Sequence, residues 1–109
     1  HVNWFRLDDD GHFMWPGFGD NLRVLNWILD RCEDKVDAVE TSIGYLPKPE
    51  DLNVEGLDID QNTLKELLSV DKSVWKEEVK SQREFFDSIG ERVPKEIYDE
   101  LNRLEERLA

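Results

Sequence analysis

Five aromatic side chains, Trp4, Phe5, Phe13, Trp15 and Phe18, fall within fifteen residues of this chain. The last of them belongs to a Gly17-Phe18-Gly19-Asp20-Asn21 turn that leads straight into an amphipathic stretch. Rings on two short strands and a glycine-rich turn can wall a flat slot, and a planar base fits such a slot by stacking. The same rings can also serve only as core, and that alternative stands beside the first. Asn21 adds a polar reader, because its amide donates and accepts at once and can read the edge of a purine. Backbone N–H groups at the start of the following helix point the same way and can bond a carbonyl oxygen. Guanine offers both a carbonyl and donors on that edge, and adenine does not. The chemistry suggested is recognition of a base rather than bond breaking.

Other combinations fall short of a site. Asp8-Asp9-Asp10-Gly11 suggests calcium, but a loop with Gly11 in its sixth place would begin at Arg6 and end at Gly17, and neither supplies the required carboxylate. These aspartates read as a solvated hairpin tip. Gly17-x-Gly19 is not a dinucleotide fingerprint, since Leu22 holds the third glycine position, and no Walker A sequence occurs. His1 and His12 have no evident set of metal partners in the sequence. Cys32, the one cysteine, reads as core or rim at helical spacing behind Leu25, Ile28 and Leu29. No metal ligands are expected in this chain.

The bulk numbers agree with a recognition role. The 109 residues make one domain or part of one, and four Trp and five Phe supply core material for a chain that is 37% charged. The net charge of −12 disfavours a phosphate backbone as partner, so nucleic acid is not expected, while an uncharged base is not excluded. No apolar run has transmembrane length and no signal peptide is evident, so no membrane is expected and a cytoplasmic location is. The chain opens on His1 inside what reads as a strand, as a piece of something longer would.

The elements that must position the aromatic segment follow from periodicity. Val2–Arg6 and His12–Trp15 read as two strands around an Asp-Gly turn. Asp20 is placed to cap a first helix over Asn21–Cys32, with Leu22, Leu25, Ile28, Leu29 and Cys32 facing inward and Val24 and Trp27 widening that face. A helix this apolar should be covered on more than one side. Thr41–Leu46 suits a short extended segment, and Pro47 and Pro49 interrupt helix there. A short second helix is predicted over Gln61–Ser69, with Leu64, Leu67 and Leu68 inward. Asp71 caps a third over Lys72–Ile89, striped by Trp75, Val79, Gln82, Phe86 and Ile89 and stopped by Gly90. Pro94 opens a fourth at its first position, with Ile97, Leu101, Leu104 and Leu108 as its stripe. The class is mainly α, an N-terminal β-hairpin plus about four helices. It divides into a hairpin and aromatic segment, residues 1–19, and a helical remainder, residues 20–109.

The words HVNWFR and FMWPGFGDN, the arginine of NLRVLNW, and the later IGYLPKPEDLNVEGLDI together resemble the C-terminal region of GTP-dependent phosphoenolpyruvate carboxykinases. The match is strong to about Trp27 and again over Ile43–Leu57; beyond about Leu68 only the helical pattern agrees. The resemblance implies an α/β C-terminal nucleotide-binding domain, completed by the rest of a parent polypeptide. That parent would be a decarboxylating lyase and kinase of gluconeogenesis, converting oxaloacetate and GTP to phosphoenolpyruvate, GDP and carbon dioxide with Mn2+ and Mg2+. It implies further that Phe5, Phe13 and Phe18 form the guanine slot and that Asn21 sits at the base edge. Trp4 and Trp15 would support the slot, with Gly17, Gly19 and Asp20 shaping its turn. Asp20 departs from the glutamate common in the family, and His12 from its frequent lysine. The family's phosphate loop, metal ligands, reactive cysteine and lid have no counterpart here, and Cys32 is not that cysteine. The chain alone is therefore expected to be inactive. A rival reading, from the Ile97–Leu108 stripe and the acidic surface, is a non-enzymatic helical interaction module.

Overall fold

The computed structural model describes residues 2–109. His1 lies outside the described residues, and so does its part in a strand. The fold is mainly helical, as expected: α1 spans Asn21–Cys32, α2 Gln61–Leu67, α3 Lys72–Ile89 and α4 Lys95–Leu108. One two-stranded hairpin joins β1, Val39–Thr41, to β2, Gly44–Leu46. Short 3-10 turns occupy Phe18–Asp20, Pro49–Asp51 and Gly90–Arg92. The chain separates into two compact units, residues 1–39 with 45–69 and residues 40–44 with 70–109. Among the described residues no helix is long and apolar enough to cross a membrane.

The strands expected over Val2–Arg6 and His12–Trp15 shrink to a single antiparallel bridge between Leu7 and Phe13. Two backbone bonds flank it, Asp8 N–H to His12 O and Met14 N–H to Arg6 O, at 2.8 and 2.9 Å. The Asp-Gly turn forms with Gly11 at φ 81°. Asp8 Oδ1 also accepts from the Asp10 and His12 N–H groups, which draws the chain into a tight local loop. Asn3 Oδ1 likewise accepts from the Phe5 N–H. Short polar side chains compete with a ladder in this way and cut it short.

In the first unit, Trp27 of α1, Leu52 and Leu64 of α2 are buried together, with Val24, Val36, Ala38, Val54, Ile59 and Leu68 packed around them. This reverses the expected orientation of α1. Leu22, Leu25, Ile28, Leu29 and Cys32 are exposed, and the inward stripe is Arg23, Val24, Trp27 and Arg31. The apolar residues of α1 spread over more than half of the helix circumference, an arc wide enough to hold both the Leu22–Leu29 side and the Val24–Trp27 side. One bulky indole displaces more water than any single aliphatic chain, and the arginine stems cover apolar surface while their heads reach carbonyls. Among the described residues the Trp27 indole N–H is buried without a hydrogen-bond partner.

In the second unit, α3 and α4 form a helical hairpin. Gly90 ends α3 at φ 74°, and Pro94 is the residue before α4 rather than its first. Lys72 reaches the Arg107 carbonyl, Arg83 bonds Asn102 and Glu105, and Asp87 accepts from the Tyr98 hydroxyl, pairings that only an antiparallel arrangement permits. Val79, Leu101 and Leu108 form the core, with Ile43, Trp75, Phe86 and Leu104 against it. The stripe behind the interaction-module reading is therefore largely taken up inside the chain.

Asp60 and Asp71 cap α2 and α3, accepting from Thr63 N–H at 2.7 Å and Ser73 N–H at 2.8 Å. The Thr63 N–H holds the Asp60 carboxyl below the ordinary carboxylate range, and the Ser73 hydroxyl, with the backbone, does the same for Asp71. A lowered folded-state value gives stability that is present above the unfolded value and lost as pH falls through the folded one. Exchange protection in the first turns of α2 and α3, corrected for intrinsic rates, should stay level above about pH 5 and decline below about pH 4. Asp71→Asn should abolish that decline in α3 and leave it in α2.

Candidate functional site

The site grows from one buried ring. Trp15 is only 5% exposed, and Met14 beside it is buried too. Trp4 lies against Trp15, ring centroids 6.3 Å apart and planes tilted by 41°. A buried indole N–H is costly to leave without an acceptor. Trp15 finds it six residues on, donating from Nε1 to Asn21 Oδ1 at 2.9 Å.

That bond requires the intervening chain to fold back. Gly17 allows it with φ 127° and ψ −170°, a region essentially reserved for glycine. Gly19 has an ordinary negative φ, so only the first of the two glycines is needed for its backbone freedom. The 3-10 turn Phe18–Asp20 follows, with Asp20 N–H donating to Gly17 O and Asn21 N–H to Phe18 O. These bonds correct the expectation that N–H groups at the start of α1 stand free, since two of them close the turn. Asp20 does not cap α1 with its side chain either. Its backbone is already helical, and its carboxylate accepts from Arg23 Nε at 3.1 Å. Arg23 in turn donates to the Asn53 carbonyl at 2.9 Å.

The phenylalanines face water. Phe5 and Phe13 are 71% and 64% exposed and meet edge to face, centroids 6.0 Å apart. Phe18 is 93% exposed and makes no aromatic contact among the described residues. The structure thus brings together Phe5 with Phe13, Trp4 with Trp15, and Trp15 with Asn21. The Phe18 ring touches neither pair, although its carbonyl is bonded to Asn21. These phenylalanine rings leave apolar, π-faced surface open to water beside buried neighbours.

Two contributors escaped the sequence reading. Arg6 donates to the Glu66 and Leu67 carbonyls at 2.8 and 3.4 Å, tying the aromatic segment to the end of α2. Arg23 does the same between the turn and Asn53. Neither has a local signal, since their partners are sixty and thirty residues away. His12, expected to stand without metal partners, lies with Asp8 and Asp10 so that one ligand atom of each falls within 4.8 Å of the others. The tight loop at Gly11 gathers them, and all three remain exposed.

Residues 1–107 match the model of the phosphoenolpyruvate carboxykinase C-terminal P-loop domain. The chain is 52% identical over 108 residues to the phosphoenolpyruvate carboxykinase (GTP) of Treponema pallidum strain Nichols. It is 50% identical to that of Chlamydia caviae and 44% identical to that of Corynebacterium kroppenstedtii. Each alignment covers 98% of this chain but only 17–18% of the relative, so the chain spans under a fifth of their length.

The backbone at Gly17 gives a direct test of the turn. Gly17→Ala places a Cβ on a conformation that costs L-residues about 1–3 kcal/mol, although open space surrounds the position. Denaturant unfolding should show a loss of that size, whereas Gly19→Ala should leave stability nearly unchanged.

Proposed function

From the membership of this chain in the GTP-dependent phosphoenolpyruvate carboxykinase family, we propose that it supplies the base-recognition wall of a guanine-nucleotide site. The observation that carries this reading is that Phe5, Phe13 and Phe18 all face solvent in the same short segment that holds an asparagine by a buried indole. The rings stack on the base, and the Asn21 amide meets its edge. Stacking selects a planar ring, and the polar edge contact selects which ring. Trp4 and Trp15 back the wall, and Gly17 sets the path of the turn.

In the whole enzyme this site holds GTP or GDP for conversion of oxaloacetate to phosphoenolpyruvate and carbon dioxide. This chain's part is binding and orientation. The divalent metals implied by the family find no fit among its described residues. Asp8, Asp10 and His12 form the one candidate group, and Asp8 is engaged with the N–H groups of its own loop. A phosphoryl-transfer centre needs ligands fixed by supporting contacts, and three exposed side chains on a loop do not provide them. The uncovered Leu22, Leu25 and Leu29 of α1 support a further part of the reading, that the chain works against more polypeptide.

In a full-length enzyme carrying this chain, Phe18→Ala should weaken GTP binding by about 1–3 kcal/mol, the scale of base–aromatic stacking, read as a raised KM. Phe85→Ala, which removes an exposed ring of α3, should leave that KM unchanged; equal effects of the two would count against the assignment. Purified alone, the 109 residues should form no phosphoenolpyruvate from oxaloacetate and GTP.

A further inference from the structure

We infer that Trp15 is a positioning residue for base specificity: its indole N–H fixes which end of the Asn21 amide faces the base. The inference rests on the guanine-slot reading above. An asparagine amide has an accepting end and a donating end of nearly equal size, and rotation about its last bond exchanges them at little steric cost. Left to itself, it can offer either end to a ligand and so distinguishes little.

Trp15 removes that freedom. Its Nε1–H is a donor with no accepting capacity, and it lies 2.9 Å from Asn21 Oδ1. Exchanging the ends would set two donors against each other. The indole cannot turn away cheaply, because it is buried and packed against Trp4. The Asn21 backbone is held as well, its N–H bonded to Phe18 O. With Oδ1 engaged, the Nδ2 donors are the end left for a ligand. A purine with an oxygen at its 6-position offers acceptors at O6 and N7, whereas a 6-aminopurine offers a donor where O6 would be. The fixed amide therefore favours 6-oxopurines, guanine and hypoxanthine alike, over adenine. It does so through a residue that need not touch the base.

The test uses a full-length enzyme carrying this chain, with kcat/KM measured for GTP, ITP and ATP. Trp15→Phe keeps a buried ring and removes the N–H. The preference for GTP over ATP should fall about tenfold or more, and ITP should follow GTP. A uniform loss for all three nucleotides, with the preference intact, would show that Trp15 acts by packing alone and would overturn the inference. Replacement of Trp15 by benzothienylalanine, which puts sulfur in place of the N–H in an isosteric ring, decides the matter if Trp15→Phe misfolds. It should give the same fall in preference, and an unchanged preference overturns the inference. Asn21→Asp separates this inference from the reading beneath it. A carboxylate keeps the indole bond but turns an acceptor toward the base, so the preference should shift toward ATP. No change in preference with Asn21→Asp would remove Asn21 from the base edge and defeat the slot reading itself. A shift with Asn21→Asp but none with either Trp15 replacement would leave the slot standing and defeat only the role given to Trp15.

Discussion

The hydrogen bond between the Trp15 indole and the Asn21 amide links residues six apart and sets the conditions for everything between them. A ring buried to this degree cannot leave its N–H unsatisfied without a cost of about 1–3 kcal/mol. The acceptor lies at the first residue of α1, so the chain must reverse within Pro16–Asp20. Reversal in that space draws Gly17 into a glycine-only conformation and tightens the next three residues into a 3-10 turn. The tightened turn directs the Phe18 ring into solvent and brings Asp20 to Arg23 instead of the helix end. The solvent-facing Phe18 ring, the uncapped start of α1 and the orientation of Asn21 thus share one origin.

The two units hold themselves together differently. In the second, hydrocarbon does most of the work: Val79, Leu101 and Leu108 close the helical hairpin, and the exposed ion pairs beside them add little. In the first, arginines act as staples to main-chain carbonyls, two of them long-range. Arg6 reaches the last carbonyls of α2, Arg23 reaches Asn53, and Arg31 reaches Val36. Arg23 and Arg31 bond main-chain oxygens outside helix and sheet, and Arg6 adds to the bonds at the end of α2. A segment with so little regular structure depends on such contacts to keep its shape.

The helices were legible because their signals are local. Asp71 before the Trp75–Ile89 stripe and Gly90 after it delimit α3, and the α1 limits follow from the glycine-rich turn and the loss of periodicity after Cys32. What could not be read depended on competition or distance. The face that α1 buries was decided by one indole against five smaller apolar chains, with hydrophobicity spread over more than half of the helix circumference. The N-terminal strands yielded to Asn3 and Asp8 side chains bonding their own backbone. The aromatic segment stood out by composition and by its order of residues. The partnership of Trp15 with Asn21 did not, since a spacing of six belongs to no regular element.

The exposed phenylalanines also carry a thermal consequence. Water held against apolar rings raises heat capacity, and a planar ligand that covers Phe5, Phe13 and Phe18 releases it. A planar ligand covering such a surface would therefore bind with a negative heat-capacity change. The binding enthalpy would grow more favourable with every degree of warming while the binding entropy grew less so, and the two trends would largely cancel in affinity.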